Sequence, residues 1–217
     1  ILKCDFDFII ISPGIDFSKC KLSKYLKQNF SKVYTDLDVF NSFFGNDSVT
    51  ITGTNGKSTT AKLLYDVLRD QKKDARLVGN IGNPVLSEKK IIKKTFFVIE
   101  ASSYQLEYSK IFKSKYSAIL NITPDHIERH KNFKNYVDAK FRLLDSQTSQ
   151  SVGFVKINDP VIIKKLRSKK YKQKIIKIDT SLQPQIFKKI RNKYFMSSGN
   201  RENLIFVLKI CQILKLN

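Results

Sequence analysis

The residues able to do chemistry together in this chain sit where strands give way to turns. The first group is the loop Thr52-Gly53-Thr54-Asn55-Gly56-Lys57-Ser58-Thr59. Its glycines let backbone N–H groups converge on phosphate oxygens, Lys57 offers a point charge to the outer phosphates, and the Ser58 hydroxyl can ligate Mg²⁺. The loop departs from G-x-x-x-x-G-K-[ST], because the position five before Gly56 is Ile51. What stands is the shorter form G-T-x-G-K-S. A tight turn before a helix cap would also use glycine, but the buried-type strand before this loop and the amphipathic helix after it are the setting of a phosphate loop.

Such a loop needs a carboxylate at the end of a neighbouring strand to hold Mg²⁺. Glu100, after the apolar run 95–99, is the candidate, although by itself it could be a solvent-facing strand end. The small polar segment Ala101-Ser102-Ser103-Tyr104-Gln105-Leu106-Glu107 follows it, at the sheet edge where open α/β sheets bind ligands. Both histidines lie in Asp125-His126-Ile127-Glu128-Arg129-His130. Their i, i+4 spacing suggests H-E-x-x-H, but the Glu follows Ile127 rather than the first His, which disfavours a zinc protease. His126 falls after the turn Asn121-Ile122-Thr123-Pro124, near the expected place of Glu100, and is as readily a ligand as a structural histidine. His130, next to Lys131 and Asn132, is expected at the surface. Lys140 lies on the apolar face of its helix between Ala139 and Phe141. Desolvation disfavours a charged ammonium, so this lysine either snorkels or is recruited to chemistry, and the residues alone favour snorkelling.

The elements that must position these groups alternate. Strands are expected at 6–11, 32–34, 48–51, 95–99, 117–120, 152–155 and 175–178, and helices at 18–30, 58–71, 133–147, 159–167 and 200–214. Short apolar strands alternating with helices predict an α/β fold, a mostly parallel sheet covered by helices on both faces. A domain boundary is expected near 36–46, before the strand that feeds the glycine loop. The Lys-rich stretch 164–177 reads as a solvated helix face and loop.

Composition narrows the partners. The chain has 217 residues and a formal net charge of +21, yet 41% of its residues are hydrophobic, which excludes a disordered polycation. The charge invites nucleic acid. However, the cations are mostly lysines spread through every segment, without the arginines and interleaved aromatics of a single-strand groove, so no nucleic-acid partner is expected. Cys4, Cys20 and Cys211 are too scattered for a disulfide framework or thiolate site, so reduced thiols in a cytoplasmic protein are expected. No run approaches the ~18 apolar residues of a membrane span, and no membrane partner is expected.

Taken in order, the motifs resemble the Mur ligase family. Ser12-Pro13-Gly14-Ile15 is similar to a substrate-contacting loop that closes the family's first domain, and 53–59 is similar to its ATP loop. Gly79-Asn80-Ile81-Gly82-Asn83-Pro84 resembles its G-N-I-G-x-P segment, 100–107 its E-L-S-S-F-Q-L-E strand end, and 120–129 its L-N-[IV]-T-x-D-H-x-[DE]-R segment. Asp138-Ala139-Lys140-Phe141-Arg142 matches the helix bearing a carbamylated lysine, and Asn158-Asp159 resembles the family's N-x-D turn. The pairing of S-P-G-I with E-x-S-S-x-Q-L-E is similar to the D-glutamate-adding branch of the family.

The resemblance implies an ATP-dependent amide ligase adding D-glutamate to UDP-N-acetylmuramoyl-L-alanine through an acyl phosphate, in peptidoglycan precursor synthesis. It implies ATP on Gly53, Thr54, Asn55, Gly56, Lys57, Ser58, Thr59 and Asn203, and substrate on Ser12, Pro13, Gly14, Asn80, Ser102 and His126. It implies one Mg²⁺ on Glu100, His126 and a CO₂-derived carbamate of Lys140, and a second on Ser58 and Glu100. Lys140 is then recruited rather than snorkelling, and Lys57, Glu100, His126 and Lys140 are the catalytic set. Gly199 stands where the family's H-N-x-x-N has its histidine, while Asn200 and Asn203 remain. The resemblance further implies that residues 1–40 end a UDP-substrate-binding domain, that 41–217 form the central ATP-binding domain, and that the amino-acid-binding domain is absent. A monomer that ligates nothing by itself follows. The alternatives are another Mur-type or a folylpolyglutamate-type ligase and, from a different class, a basic P-loop nucleic-acid-binding protein.

Overall fold

In the computed structural model, residues 5–17, 19–182 and 185–216 are described. Cys4, the expected helix start Ser18, and Asn217 lie outside them. A small sheet pairs β1 (Ile9–Ile11) with β2 (Val33–Thr35) in parallel, through helix α1 (Ser23–Gln28). The apolar run 6–11 forms a strand only where β2 offers partners. The helix expected over 18–30 is also shorter, because the amides of Lys19 and Cys20 are already taken by the Asp16 carbonyl in a turn ahead of it.

Helix α2 (Asp36–Phe43) follows β2 directly, and it was not expected from the sequence. Thr35 and Asp38 cap it reciprocally, the Thr35 hydroxyl accepting from the Asp38 amide and the Asp38 carboxylate accepting from the Thr35 amide. The expected boundary at 40/41 falls inside this helix.

The main sheet is built from β3 (Ser48–Thr52), helix α3 (Lys57–Asp70), β4 (Ala75–Gly79), β5 (Phe96–Glu100), helix α4 (Ser103–Glu107), β6 (Tyr116–Ile119), helices α5 (Ile127–His130) and α6 (Phe133–Asp145), β7 (Val152–Lys156), helix α7 (Pro160–Arg167), β8 (Lys174–Ile178) and helix α8 (Ser198–Ile213). Its strand order is β4-β5-β3-β6-β7-β8, and every pairing is parallel. Alternate residues serve opposite faces. Val49, Ile51, Val98, Ala118 and Phe154 pack under α3 and α8 with Leu64, Leu68, Phe206 and Ile210. Phe97 and Ile99 meet Leu37 and Phe40 of α2, while Ile119 and Val155 meet Tyr136, Val137 and Phe141 of α6 and Ile162 of α7. Each such large side chain taken fully out of water stabilises the fold by about 1.5–3 kcal/mol. The sheet covered on both faces is thus the one expected. It carries one strand, β4, that the sequence did not reveal, because Arg76 interrupts a short run that ends at once in Gly79.

The chain leaves β3 toward β4 on one side and later crosses to β6 on the other. The C-terminal ends of β3 and β6 therefore flank a topological switch point, where loops diverge and leave a crevice.

Asp38 joins the two sheets. It is buried, and its Oδ1 accepts from the Ser109 hydroxyl and from the amides of Lys110, Ile111 and Phe112, at 2.9–3.0 Å. Burial alone would raise this carboxyl, but the hydrogen bonds from Thr35, Ile111, Lys110 and Ser109 win and hold it below the usual carboxylate range. Asp38→Ala strands these donors and should destabilise the fold by about 3 kcal/mol or more in urea titration. Because the folded value is depressed, the stabilisation is complete above the unfolded value of ~3.9 and lost as pH falls through the lower folded one. The wild-type advantage over Asp38→Ala should shrink below about pH 4, read from the same titrations at stepped pH.

Candidate active site

The phosphate loop is held from the neighbouring strand. The Thr54 amide donates to the Asn121 carbonyl at 3.0 Å and to Asn121 Oδ1 at 3.1 Å. Asn121 Oδ1 also accepts from the Asn55 amide at 2.8 Å, and Asn121 Nδ2 donates to the Asn55 carbonyl at 3.0 Å. The Thr54 hydroxyl adds contacts to the Thr123 backbone and, at 2.9 Å, to the Tyr136 hydroxyl. Gly56 has φ +84°, and a Cβ there would fall 2.1 Å from Asn203 Oδ1, so glycine is required for both conformation and space. Asn203, from the first half of α8, thereby lies against the loop. Helix α3 starts at Lys57 with no side-chain cap. Its first-turn N–H groups, which have no partner within a helix, are left to meet an anion.

Behind the loop lies a cleft of about 130 Å³ lined by Lys57, Asn80, Ser102, Ser103, Tyr104, Asp125, His126, Tyr136 and Lys140. Lys57 Nζ donates to the Thr54 carbonyl at 2.8 Å. Burial pushes Lys57 below its usual range, against the opposing pull of Glu100 and Asp125. Lys140 is buried, donates to the Gly53 carbonyl at 2.7 Å and lies 4.6 Å from the centre of the Tyr136 ring. Burial and then the nearby positive charge of Lys57 push Lys140 down to about 7. It does not snorkel, because α6 turns it into the crevice at the switch point rather than along the helix surface.

Glu100 ends β5, buried. Its Oε1 accepts from Asn80 Nδ2 at 2.8 Å, while Oε2 is buried without a partner. Gly79 makes this contact possible: its φ is +104°, and a Cβ would lie 2.3 Å from the Glu100 carbonyl oxygen. Ser102 caps α4 and forms a capping box with Gln105. His126 has φ +51°, and its half-exposed ring lies 3.5 Å from Asp125 Oδ2 and 5.0 Å from the centre of Tyr104.

The structure thus gathers Lys57, Asn80, Ser102, His126 and Lys140 around one cleft, with Glu100 reached through Asn80. Gly53 and Gly56 shape the loop. Thr54 is tied into it, Asn55 and Ser58 face outward, and Thr59 shares a 3.1 Å hydrogen bond with the Tyr194 hydroxyl. Ser12, Pro13 and Gly14 do not line the cleft. They lie at the end of β1 in a turn closed by the Ile15 amide and the Ser12 carbonyl. Among the described residues no three His, Cys, Asp or Glu side chains converge as a metal-binding group.

One expectation fails outright. His130 is buried, not at the surface. Positive φ angles at His126 and Lys131 confine α5 to a single turn, and that turn points residue 130 inward. His130 Nε2 shares a 3.0 Å hydrogen bond with Ser103 Oγ, and the ring packs between Tyr104 and Tyr136. Burial and then the charge of Arg129 push it down to about 4, so it is a neutral ring at pH 7. Asn121 and Asp125 fell within a recognised segment without a role, and Tyr136 read only as helix core. An amide side chain immediately after a central strand was the available signal for Asn121.

Residues 51–212 match the model of the Mur ligase middle domain. A curated relative, UDP-N-acetylmuramoylalanine--D-glutamate ligase of Rickettsia bellii (strain RML369-C), is 38% identical over 156 residues, 71% of this chain and 34% of that protein. The chain therefore spans about a third of the length of that relative. Among solved structures, the UDP-N-acetylmuramate:L-alanyl-gamma-D-glutamyl-meso-diaminopimelate ligase of Neisseria meningitides superposes with a TM-score of 0.63 at 12% identity, covering 95% of this chain and 74% of that one. The MurF ligase of Thermotoga maritima in complex with ADP gives 0.61 at 13% identity, covering 86% and 52%. At these identities the superpositions speak for the fold. With a family model matched over most of the chain, a relative well above 30% identity and the same parallel sheet, the chain belongs to the Mur ligase family.

Proposed function

We propose that this chain is the nucleotide-binding part of an ATP-dependent amide ligase that joins D-glutamate to UDP-N-acetylmuramoyl-L-alanine, in the cytoplasm, during peptidoglycan precursor synthesis. The observation that carries this reading is a phosphate loop whose half-buried Lys57 shares one cleft with a buried lysine, Lys140, backed by the buried carboxylate of Glu100. The identity to a relative of that name supports the choice of substrates. On this reading residues 41–217 bind ATP, residues 1–40 end a UDP-substrate domain, and D-glutamate is held by residues outside this chain.

The reaction asks little covalent work of the protein. The acid substrate's carboxylate attacks the γ-phosphorus of ATP and ADP leaves; the amine of D-glutamate then attacks the acyl carbon and phosphate leaves. The first-turn amides of α3 and Lys57 offset the charge spread over the transferring phosphoryl group. Asn80, Ser102 and His126 line the cleft, and on this reading they orient the acid substrate.

Mg²⁺ fits the site by one observation: Glu100 Oε2 is a buried carboxylate oxygen with no partner. Glu100, His126 and Ser58 would hold the ions, whose positive charge would shield the attacking carboxylate from the phosphates. Lys140 is the other donor. Held near 7, a large share of it is the free amine at pH 7–8, the form that reacts with CO₂. That reaction forms an N–C bond between the neutral amine and CO₂, releases one proton and leaves an anionic carbamate whose oxygen could serve as a ligand.

Lys57→Ala should weaken binding of ADP with Mg²⁺ by about 100-fold in calorimetry. D-glutamate-dependent phosphate release is expected from the longer enzyme and not from residues 1–217; release with a different amino acid but not with D-glutamate would overturn the substrate assignment. A chain equilibrated with ¹³C-bicarbonate should show a carbamate carbon signal that Lys140→Arg lacks. For stability, a lysine whose folded value lies below its unfolded ~10.4 is penalised fully below about 7, and the penalty fades as pH rises toward the unfolded value. The stability of Lys140→Met relative to wild type should therefore decline between pH 7 and pH 10 in urea titrations.

A further inference from the structure

Arg129 has no part in the chemistry above, yet it is buried where two parts of the molecule meet. Its Nη2 donates to the Ile15 carbonyl at 2.6 Å. The same nitrogen and Nε reach Glu107 Oε2 at 3.3 and 3.4 Å. The guanidinium carbon lies 4.9 Å from the centre of the Tyr104 ring and 5.8 Å from that of Tyr108. Tyr104 lines the cleft. Ile15 closes the turn that begins at Ser12. A planar fork that donates on its edge and stacks on its faces can fix both at once, which an ammonium cannot. A second contact runs parallel to this one: the Tyr108 and Phe17 rings stack at 4.2 Å.

We propose that Arg129 is a positioning residue that holds the 12–17 turn against the Tyr104 wall of the cleft, so that the turn and the cleft engage one acid substrate as a single surface. Charge favours this role over simple packing. Glu107 is partly buried, and burial would raise its carboxyl further if Arg129 did not counter it. A charged donor is thus kept at the seam, where a neutral side chain would leave the partly buried Glu107 without its counter-charge. Ser12 and Gly14 at the head of the turn are exposed, and Arg129 ties the turn to the cleft wall with a hydrogen bond to the Ile15 carbonyl and a ring contact to Tyr104.

The substrate arm rests on the reading of the cleft as an acid-substrate site, and the test separates the two. Hydrogen exchange of residues 9–17 is followed by mass spectrometry in wild type, Arg129→Ala and Arg129→Lys. In parallel, calorimetry measures the affinity for ADP with Mg²⁺ and for UDP-N-acetylmuramoyl-L-alanine. Both variants should exchange at least about tenfold faster over 12–17. Their acid-substrate affinity should fall by about tenfold or more, while ADP affinity stays within about twofold and reports an intact fold. Should Arg129→Ala lose ADP binding, Arg129→Lys, which keeps the charge without the fork, decides the outcome. Unchanged exchange in a folded variant overturns the clamp. Faster exchange with unchanged acid-substrate affinity overturns its role in binding. If wild type binds ADP but not the acid substrate, the reading of the cleft fails, and the exchange measurement still decides the clamp.

Discussion

The side-chain amide of Asn121 spans the phosphate loop, its oxygen accepting from the Thr54 and Asn55 amides and its nitrogen donating to the Asn55 carbonyl. Asn121 follows β6, and the loop follows β3, the neighbouring strand. The sheet therefore fixes the distance between the two before either does any chemistry. Thr54, held by Asn121, reaches on to Thr123 and to Tyr136 of α6, and the loop's Gly53 carbonyl receives Lys140 from the same helix. Remove this cross-link and the glycines, which lose the most backbone freedom on ordering, would have little to hold them in the conformation that leaves the α3 amides free.

The electrostatics follow from that closure. Lys57 and Lys140 share a cleft of about 130 Å³, and each loses hydration while repelling the other. Glu100 and Asp125 offset part of this cost. The site thus sets two desolvated lysines against two carboxylates, and Lys57 at the mouth of the loop is the cation left to meet a phosphate. This balance says little about the formal +21 of the whole chain. Most of those lysines are solvated. On the outer strand β8, Lys174 and Lys177 are exposed, where a charged edge discourages another strand from pairing.

Much of this was legible in advance because the signals are local. A buried strand, a glycine turn and an amphipathic helix occur in sequence around Lys57, and Lys140 stands out on an apolar helix face. The features that were missed depend on distant partners. Helix α2 is short, and it is held in place because Leu37 and Phe40 find the sheet and Asp38 finds the 109–112 segment. Strand β4 is a strand because β5 pairs with it. His130 is buried because backbone angles at His126 and Lys131 stop a helix that its neighbours' polarity seemed to place in solvent. The Ser12 turn is tied to the cleft wall by Arg129, more than a hundred positions later, a link that no spacing rule reveals.

The all-parallel order of the main sheet also governs how the chain must come together. Ser48 pairs with Phe97, and Val49 with Tyr116, so the central strand β3 is synthesised well before either neighbour exists. Until β5 and β6 arrive, an apolar strand and the inner face of α3 have nowhere to go. Closing such long loops first and gaining contacts afterward is a slow route. During translation β3 accordingly waits as an apolar strand open to wrong pairing until its neighbours are made. The phosphate loop is made well before Asn121, Tyr136 and Lys140, the residues that hold its shape.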